Sequence, residues 1–141
     1  MIQLDVPKKI KDIMRPLPYT VEANELLTFA IATMETHKVR HLPVLDQGRL
    51  IGVISDRDTR LGLILKTRLA NCSPLIVREI CTLDPYIVDP DEDVAVVARN
   101  MADKRIGSAL IARDQKVLGI FTTTDACGWF GACLEGSATE D

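Results

Sequence analysis

Histidine is scarce in this chain, and cysteine lacks the spacing that metals require. Its 141 residues include two histidines, His37 and His41, and four cysteines, Cys72, Cys81, Cys127 and Cys133, with no Cys-x-x-Cys pair. Structural zinc sites are built from such pairs and from closely spaced histidines, so no metal is expected. The cysteines read as reduced thiols of a cytosolic protein. Positive charge is not in excess either: 17 Lys and Arg face 20 Asp and Glu, a formal net charge of −3. That sign opposes a general nucleic-acid binder, whose affinity comes mostly from neutralising phosphates. No apolar run approaches the roughly 20 residues of a membrane span, and the stretch MIQLDVPKKIKDIM lacks the apolar core of a signal peptide. The expectation is a cytoplasmic protein with neither membrane nor nucleic acid as partner.

Catalytic apparatus is equally sparse. A reaction centre needs a nucleophile with its base, paired carboxylates or a metal set. His41 is the one plausible base, and nothing at recognisable spacing pairs with it. P-loop and Rossmann glycine patterns are both missing. The chain is therefore expected to be no enzyme and to carry no cofactor.

What is present is a repetition. GVISDRD at 52–58 returns as GIFTTTD at 119–125, with the glycine, a hydroxyl residue and the final aspartate in the same places. At that shift of 67 positions the halves align without a gap from Ile13/Ile80 to Asp58/Asp125. Identities fall at Pro18/Pro85, Tyr19/Tyr86, Val21/Val88, Glu25/Glu92, Met34/Met101 and Gly52/Gly119, and similar residues fill much of the remainder. A run of this kind is a duplication.

Each copy has the same order of signals. PYTV and PYIV are short β-favouring stretches bounded by proline. Leu26, Leu27, Ala30, Ile31 and Met34 then recur at helical spacing, as do Val94, Val97, Ala98 and Met101. Acidic residues crowd both helix starts (Glu22 and Glu25; Asp89, Asp91, Glu92 and Asp93), where the helix dipole favours them. Two apolar runs about a polar turn, HLPVL-DQG-RLIGVI and SALIA-RDQ-KVLGIF, read as hairpins. Second helices follow near 56–66 and 124–134. The unit is β-α-β-β-α, twice, in an α/β (α+β) chain whose repeats span 8–66 and 75–134. A unit of about 55 residues buries little by itself, so the two are expected to pack face to face through their sheets. The joining segment TRLANCSPLIVRE is not Gly/Ser-rich, which favours a rigid pair.

The simplest role of the repeated phrase is local. Ser55-x-x-Asp58 and Thr122-x-x-Asp125 both fit a helix capping box, and the preceding glycines allow close approach of strand and helix. The same atoms suit a ligand. A helix start offers backbone N–H groups, and an ionised aspartate accepts through two oxygens, which matches the hydroxyls of a ribose 2′,3′-diol. Gly52 and Gly119 would leave room for a flat base.

The order DIM…PYTVEANELLTFAIATMETHKVRHLPVLDQGRLIGVISDRD resembles the CBS domain, and GIFTTTD closes a second one; the resemblance covers about residues 8–134. It implies a stand-alone CBS pair, or Bateman module, that binds an adenosine-containing ligand (AMP, ADP or ATP, with S-adenosylmethionine or a dinucleotide as further members) in the cleft between repeats. It implies that Asp58 and Asp125 hold ribose and that each base packs on the opposite repeat. One site would then combine Val53, Ser55, Asp58, Arg40 and His41 with Cys81, Tyr86 and Ile106. The other would combine Ile120, Thr122, Asp125, Gly107 and Ser108 with Met14, Tyr19 and Val39. Repeat two has RIGSALIA where repeat one has VRHLPVLD, so its phosphate end lacks the Arg40–His41 pair.

Two functional classes follow. One is a nucleotide-sensing regulatory module whose ligand biases a shape read by another, unknown protein. The other is a structural dimerisation or protein-interaction module whose Ser/Thr-x-x-Asp elements serve only as caps. A homodimer is expected in either case, through Leu61, Leu63, Ile64 and Leu65 on one second helix and Trp129 and Phe130 on the other, the latter two being core or dimer contacts.

Overall fold

A computed structural model describes residues 8–68 and 74–139. Cys72, and with it the middle of the joining segment, lies outside the described residues. The apolar runs pair as expected. β3 (His41–Asp46) and β4 (Arg49–Ser55) form one hairpin, β7 (Ser108–Arg113) and β8 (Lys116–Thr122) the other. Each turns on two residues of positive φ, Gln47 and Gly48 at 51° and 80°, Asp114 and Gln115 at 53° and 66°, the pair that matches hairpin twist.

β2 (Val21–Glu22) runs parallel to β3, and β6 (Ile87–Val88) parallel to β7. Parallel neighbours need a crossover. The amphipathic helices α1 (Leu27–His37) and α4 (Val94–Lys104) supply it, burying Leu27, Ala30 and Met34 on one and Val97 and Met101 on the other. Helices α2 (Asp56–Arg68) and α5 (Thr123–Thr139) leave the ends of β4 and β8.

Beyond the expected unit, each sheet has a fourth strand. β1 (Arg15–Pro16) pairs antiparallel with β8, and β5 (Thr82–Leu83), which follows the one-turn α3 (Val77–Ile80), pairs antiparallel with β4. The sheets therefore read β2-β3-β4-β5 and β1-β8-β7-β6. The segment that precedes each repeat docks on the sheet of the other. Compact units follow this exchange and not the sequence repeats: one gathers residues 17–85 with 115–117, the other the residues up to Pro16, Tyr86–Asp114 and those from Leu118 onward.

Docking is built from backbone and side chains alike. In the first unit Leu27 N–H donates to Leu75 O at 2.9 Å and Val77 N–H to Glu25 O at 2.9 Å. In the second, Ile10 N–H donates to Glu92 O at 2.9 Å and Val94 N–H to Lys8 O at 2.8 Å. Val77 enters the core made by Val21, Leu27, Leu42, Val44 and Ile54. Ile10 enters the core made by Val88, Val97, Ala109, Ile111 and Phe121. Both inserted residues are fully buried, each contributing on the order of 1.5–3 kcal/mol of apolar burial.

The acidic residues before α4 divide their roles. Asp93 caps the helix, its Oδ1 accepting from Ala95 N–H at 2.8 Å. Asp89 and Asp91 do not serve the helix dipole as expected; they hold Arg113 (2.9 and 2.8 Å), and Asp91 also meets Lys11 at 3.0 Å.

Candidate functional site

Both repeated phrases adopt the capping box. Asp58 Oδ2 accepts from Ser55 N–H at 2.9 Å while Asp58 N–H donates to Ser55 Oγ at 3.1 Å. Thr122 and Asp125 repeat the geometry at 3.0 and 3.1 Å. The hydroxyl residue ends its strand and the aspartate lies in the first turn of the helix, so the reciprocal pair bridges strand to helix. Local capping and ligand binding are compatible here, because capping engages only one carboxylate oxygen. Asp58 Oδ1 has no hydrogen-bond or ion-pair partner among the described residues.

In the unit of residues 17–85 the hairpin register brings further residues to this corner. His41 pairs with Ser55, and Arg40 O accepts from Asp56 N–H at 2.8 Å. Arg40 is exposed and His41 half-buried. Val53 pairs with Thr82, which sets Cys81 beside Asp58. Burial pushes the Cys81 thiol above its ordinary value and the Asp58 carboxylate adds to the rise, against a smaller opposing effect of Arg78. Cys81 serves this corner as a packing and weak donor group. Its Sγ–H points to Arg78 O at 3.8 Å. Cys127 is likewise a free thiol, exposed on α5.

The other unit assembles Met14, Gly107, Ser108, Ile120, Thr122 and Asp125. Ile120 pairs with Arg15, directly after Met14, and Thr123 N–H donates to Gly107 O at 3.0 Å. Each corner thus contains the residues expected from its own unit. The remaining four lie in the units of their own chain segments. Tyr19 and Val39 pack on the core of residues 17–85, with the Tyr19 ring stacked on His37 at 3.8 Å. Tyr86 and Ile106 pack on the other core, where Tyr86 Oη accepts from Asn100 Nδ2 at 3.0 Å and Lys104 Nζ stands 5.1 Å from the ring centroid.

One expectation is corrected. The space above the glycines is filled. A Cβ on Gly52 would lie 2.6 Å from Thr82 O and 3.2 Å from Cys81 Sγ, and one on Gly119 would lie 2.7 Å from both Arg15 O and Met14 Sδ. At the place a Cβ would take, these glycines admit the exchanged strands, so that space is not where a base lies. Of the two roles expected for Trp129 and Phe130, core or dimer contact, their exposure of 36% and 57% leaves the contact role.

One residue of this corner was not foreseen. Arg15 Nη2 pairs with Asp125 Oδ1, so at this corner both carboxylate oxygens are engaged. Its counterpart at the repeat shift is Thr82, which has no charge. The mismatch of Arg15 and Thr82 is visible in the sequence, but only the exchange of segments gives it meaning.

Among the described residues no helix is long and apolar enough to cross a membrane, and no group of three His, Cys, Asp or Glu could hold a metal ion. A family model for the CBS domain matches residues 10–61 and again 77–131. CBS domain-containing protein YhcV of Bacillus subtilis is 27% identical over 116 residues, which are 82% of this chain and 81% of that protein. Uncharacterized protein MJ1225 of Methanocaldococcus jannaschii is 26% identical over 121 residues, 85% of this chain but 42% of that protein. Among solved structures, the CBS domain pair of protein MJ0100 in complex with 5′-methylthioadenosine and S-adenosyl-L-methionine aligns with a TM-score of 0.76 at 29% identity, covering 89% of this chain and 98% of that one.

Proposed function

This chain belongs to the CBS domain family, and on that premise we propose that it is a cytoplasmic regulatory module that binds an adenosine-containing ligand, AMP, ADP or ATP first among them, without transforming it. The observation that carries this reading is Asp58 itself. One oxygen is committed to the Ser55 N–H and the other has no partner among the described residues, at a helix start with His41 on the adjoining strand and Arg40 just before it. A carboxylate oriented by its own cap is ready to accept from a ribose hydroxyl, and an arginine beside it suits phosphate. The likeness to MJ0100 supports the ligand class, since both molecules bound there are adenosine derivatives with a ribose diol. The regulated partner would read the ligand-dependent shape.

Thermal unfolding with AMP, ADP, ATP and S-adenosylmethionine at millimolar concentration tests the reading. Ligand at a hundred times its dissociation constant is expected to stabilise the fold by about 2.7 kcal/mol. No shift with any of the four would leave the interaction module as the better account.

That second reading has an observation of its own. Leu61, Ile64, Phe130 and Leu134 are each more than half exposed on α2 and α5. Apolar residues left in water on two long helices favour association of two copies of this chain. Light scattering at micromolar concentration is expected to give twice the 15.6 kDa chain mass, and a monomer mass would refute the dimer.

A further inference from the structure

We propose that Arg15 determines which adenosyl ligands the Thr122–Asp125 corner accepts, favouring those that carry phosphate over uncharged ones. The inference rests on the preceding reading that this corner holds ribose, and it makes this corner the one that discriminates against an uncharged nucleoside. The two corners share one motif, and beside the Arg40–His41 and Gly107–Ser108 difference they differ at the register position next to the aspartate. Arg15 lies on β1 opposite Ile120; Thr82 lies on β5 opposite Val53, the equivalent residue at the repeat shift.

At Asp58 the outer oxygen has no partner among the described residues. At Asp125 it holds the Arg15 guanidinium while the inner oxygen holds Thr122 N–H. The Asp125 side chain is 12% exposed and that of Arg15 is 67% exposed, so the carboxylate is enclosed and the arginine is free to swing on its outer side. With Arg15 on the outer side of the enclosed carboxylate, a ribose diol that reaches Asp125 Oδ1 competes with the guanidinium for it. With an uncharged nucleoside, the ion pair is broken and nothing on the ligand replaces it. A phosphate offers the guanidinium a second anion, gripped by the same two-donor geometry, and the displacement is offset. Threonine imposes no such exchange.

Calorimetric titration with adenosine and with AMP tests this, using Asp58→Ala to isolate the Asp125 corner and Asp125→Ala to isolate the Asp58 corner. Adding Arg15→Thr to Asp58→Ala is expected to raise adenosine affinity about tenfold and lower AMP affinity, on the scale of one charge-assisted hydrogen bond. Adding Thr82→Arg to Asp125→Ala is expected to weaken adenosine about tenfold at the Asp58 corner. The proposal is overturned if Arg15→Thr weakens both ligands equally or changes neither, or if Thr82→Arg leaves adenosine untouched. If Asp125→Ala binds and both Asp58→Ala variants do not, the Asp125 corner is no ligand site and this proposal alone falls. If the wild type binds neither compound, the functional reading falls with it.

Discussion

Ile10 and Val77 occupy equivalent places in the two compact units, each fully buried and each supplied by the segment that precedes the other repeat. A residue so near the start of the described chain would ordinarily tolerate substitution. Here Ile10→Ala removes buried aliphatic volume that the flanking β-bridge of Lys9 with Asp93 cannot restore. The expected loss is about 2–5 kcal/mol in urea unfolding. A loss near zero would mean that the segment is undocked in solution.

The glycines give a steric test of the same exchange. Gly52→Ala and Gly119→Ala place a methyl against the backbone carbonyls of Thr82 and Arg15, which cannot move without breaking β5 or β1 from its sheet. Each is expected to cost about 1–3 kcal/mol. Gly107→Ala, with no atom within 4 Å of the added Cβ, serves as the neutral comparison in the same denaturation series.

Removing the aspartates is expected to separate the two corners. Asp58→Ala loses a cap, worth about 0.5–2 kcal/mol of stability, and also the open carboxylate beside Arg40. It should abolish most high-affinity adenosyl binding, by roughly ten- to a hundredfold. Asp125→Ala loses an equivalent cap but a carboxylate already engaged by Arg15, and should affect a weaker event. Titration of both variants with AMP and ATP decides between them: a larger loss in Asp125→Ala would reverse the order of the sites.

Acid is expected to loosen the docked segment of the unit that contains Asp91. Lys11, then Arg113, holds the Asp91 carboxyl down at about 2, and Arg113 also lowers Asp89. An unfolded aspartate takes up its proton near pH 3.9. With the folded value depressed, the stabilisation is complete above that pH and disappears as pH falls toward the folded value. The stability difference between wild type and Lys11→Ala should therefore shrink from about pH 5 to pH 2. Added salt should shrink it too, because these side chains face water. A difference that holds at pH 2 would place the effect of Lys11 elsewhere.

The duplication, the hairpins, the helices between strands and the two capping boxes are legible in the residues alone. Each of these rests on local signals: two apolar runs about a polar turn for β3 and β4, helical spacing from Leu27 to Met34, a hydroxyl three residues before a carboxylate. The resemblance to a known family placed Cys81 near Asp58 and Met14 near Asp125 without saying how. Tertiary structure decided the exchange of leading segments. β1 and β5 are two residues long, too short to show any alternation, and their partners lie far along the chain. It also decided what the glycines are for, since a missing Cβ has no meaning until the carbonyl above it is known. Arg15 shows the limit most clearly. It is 110 positions from Asp125, and only the pairing of β1 with β8 turns an ordinary exposed arginine into the partner of that carboxylate.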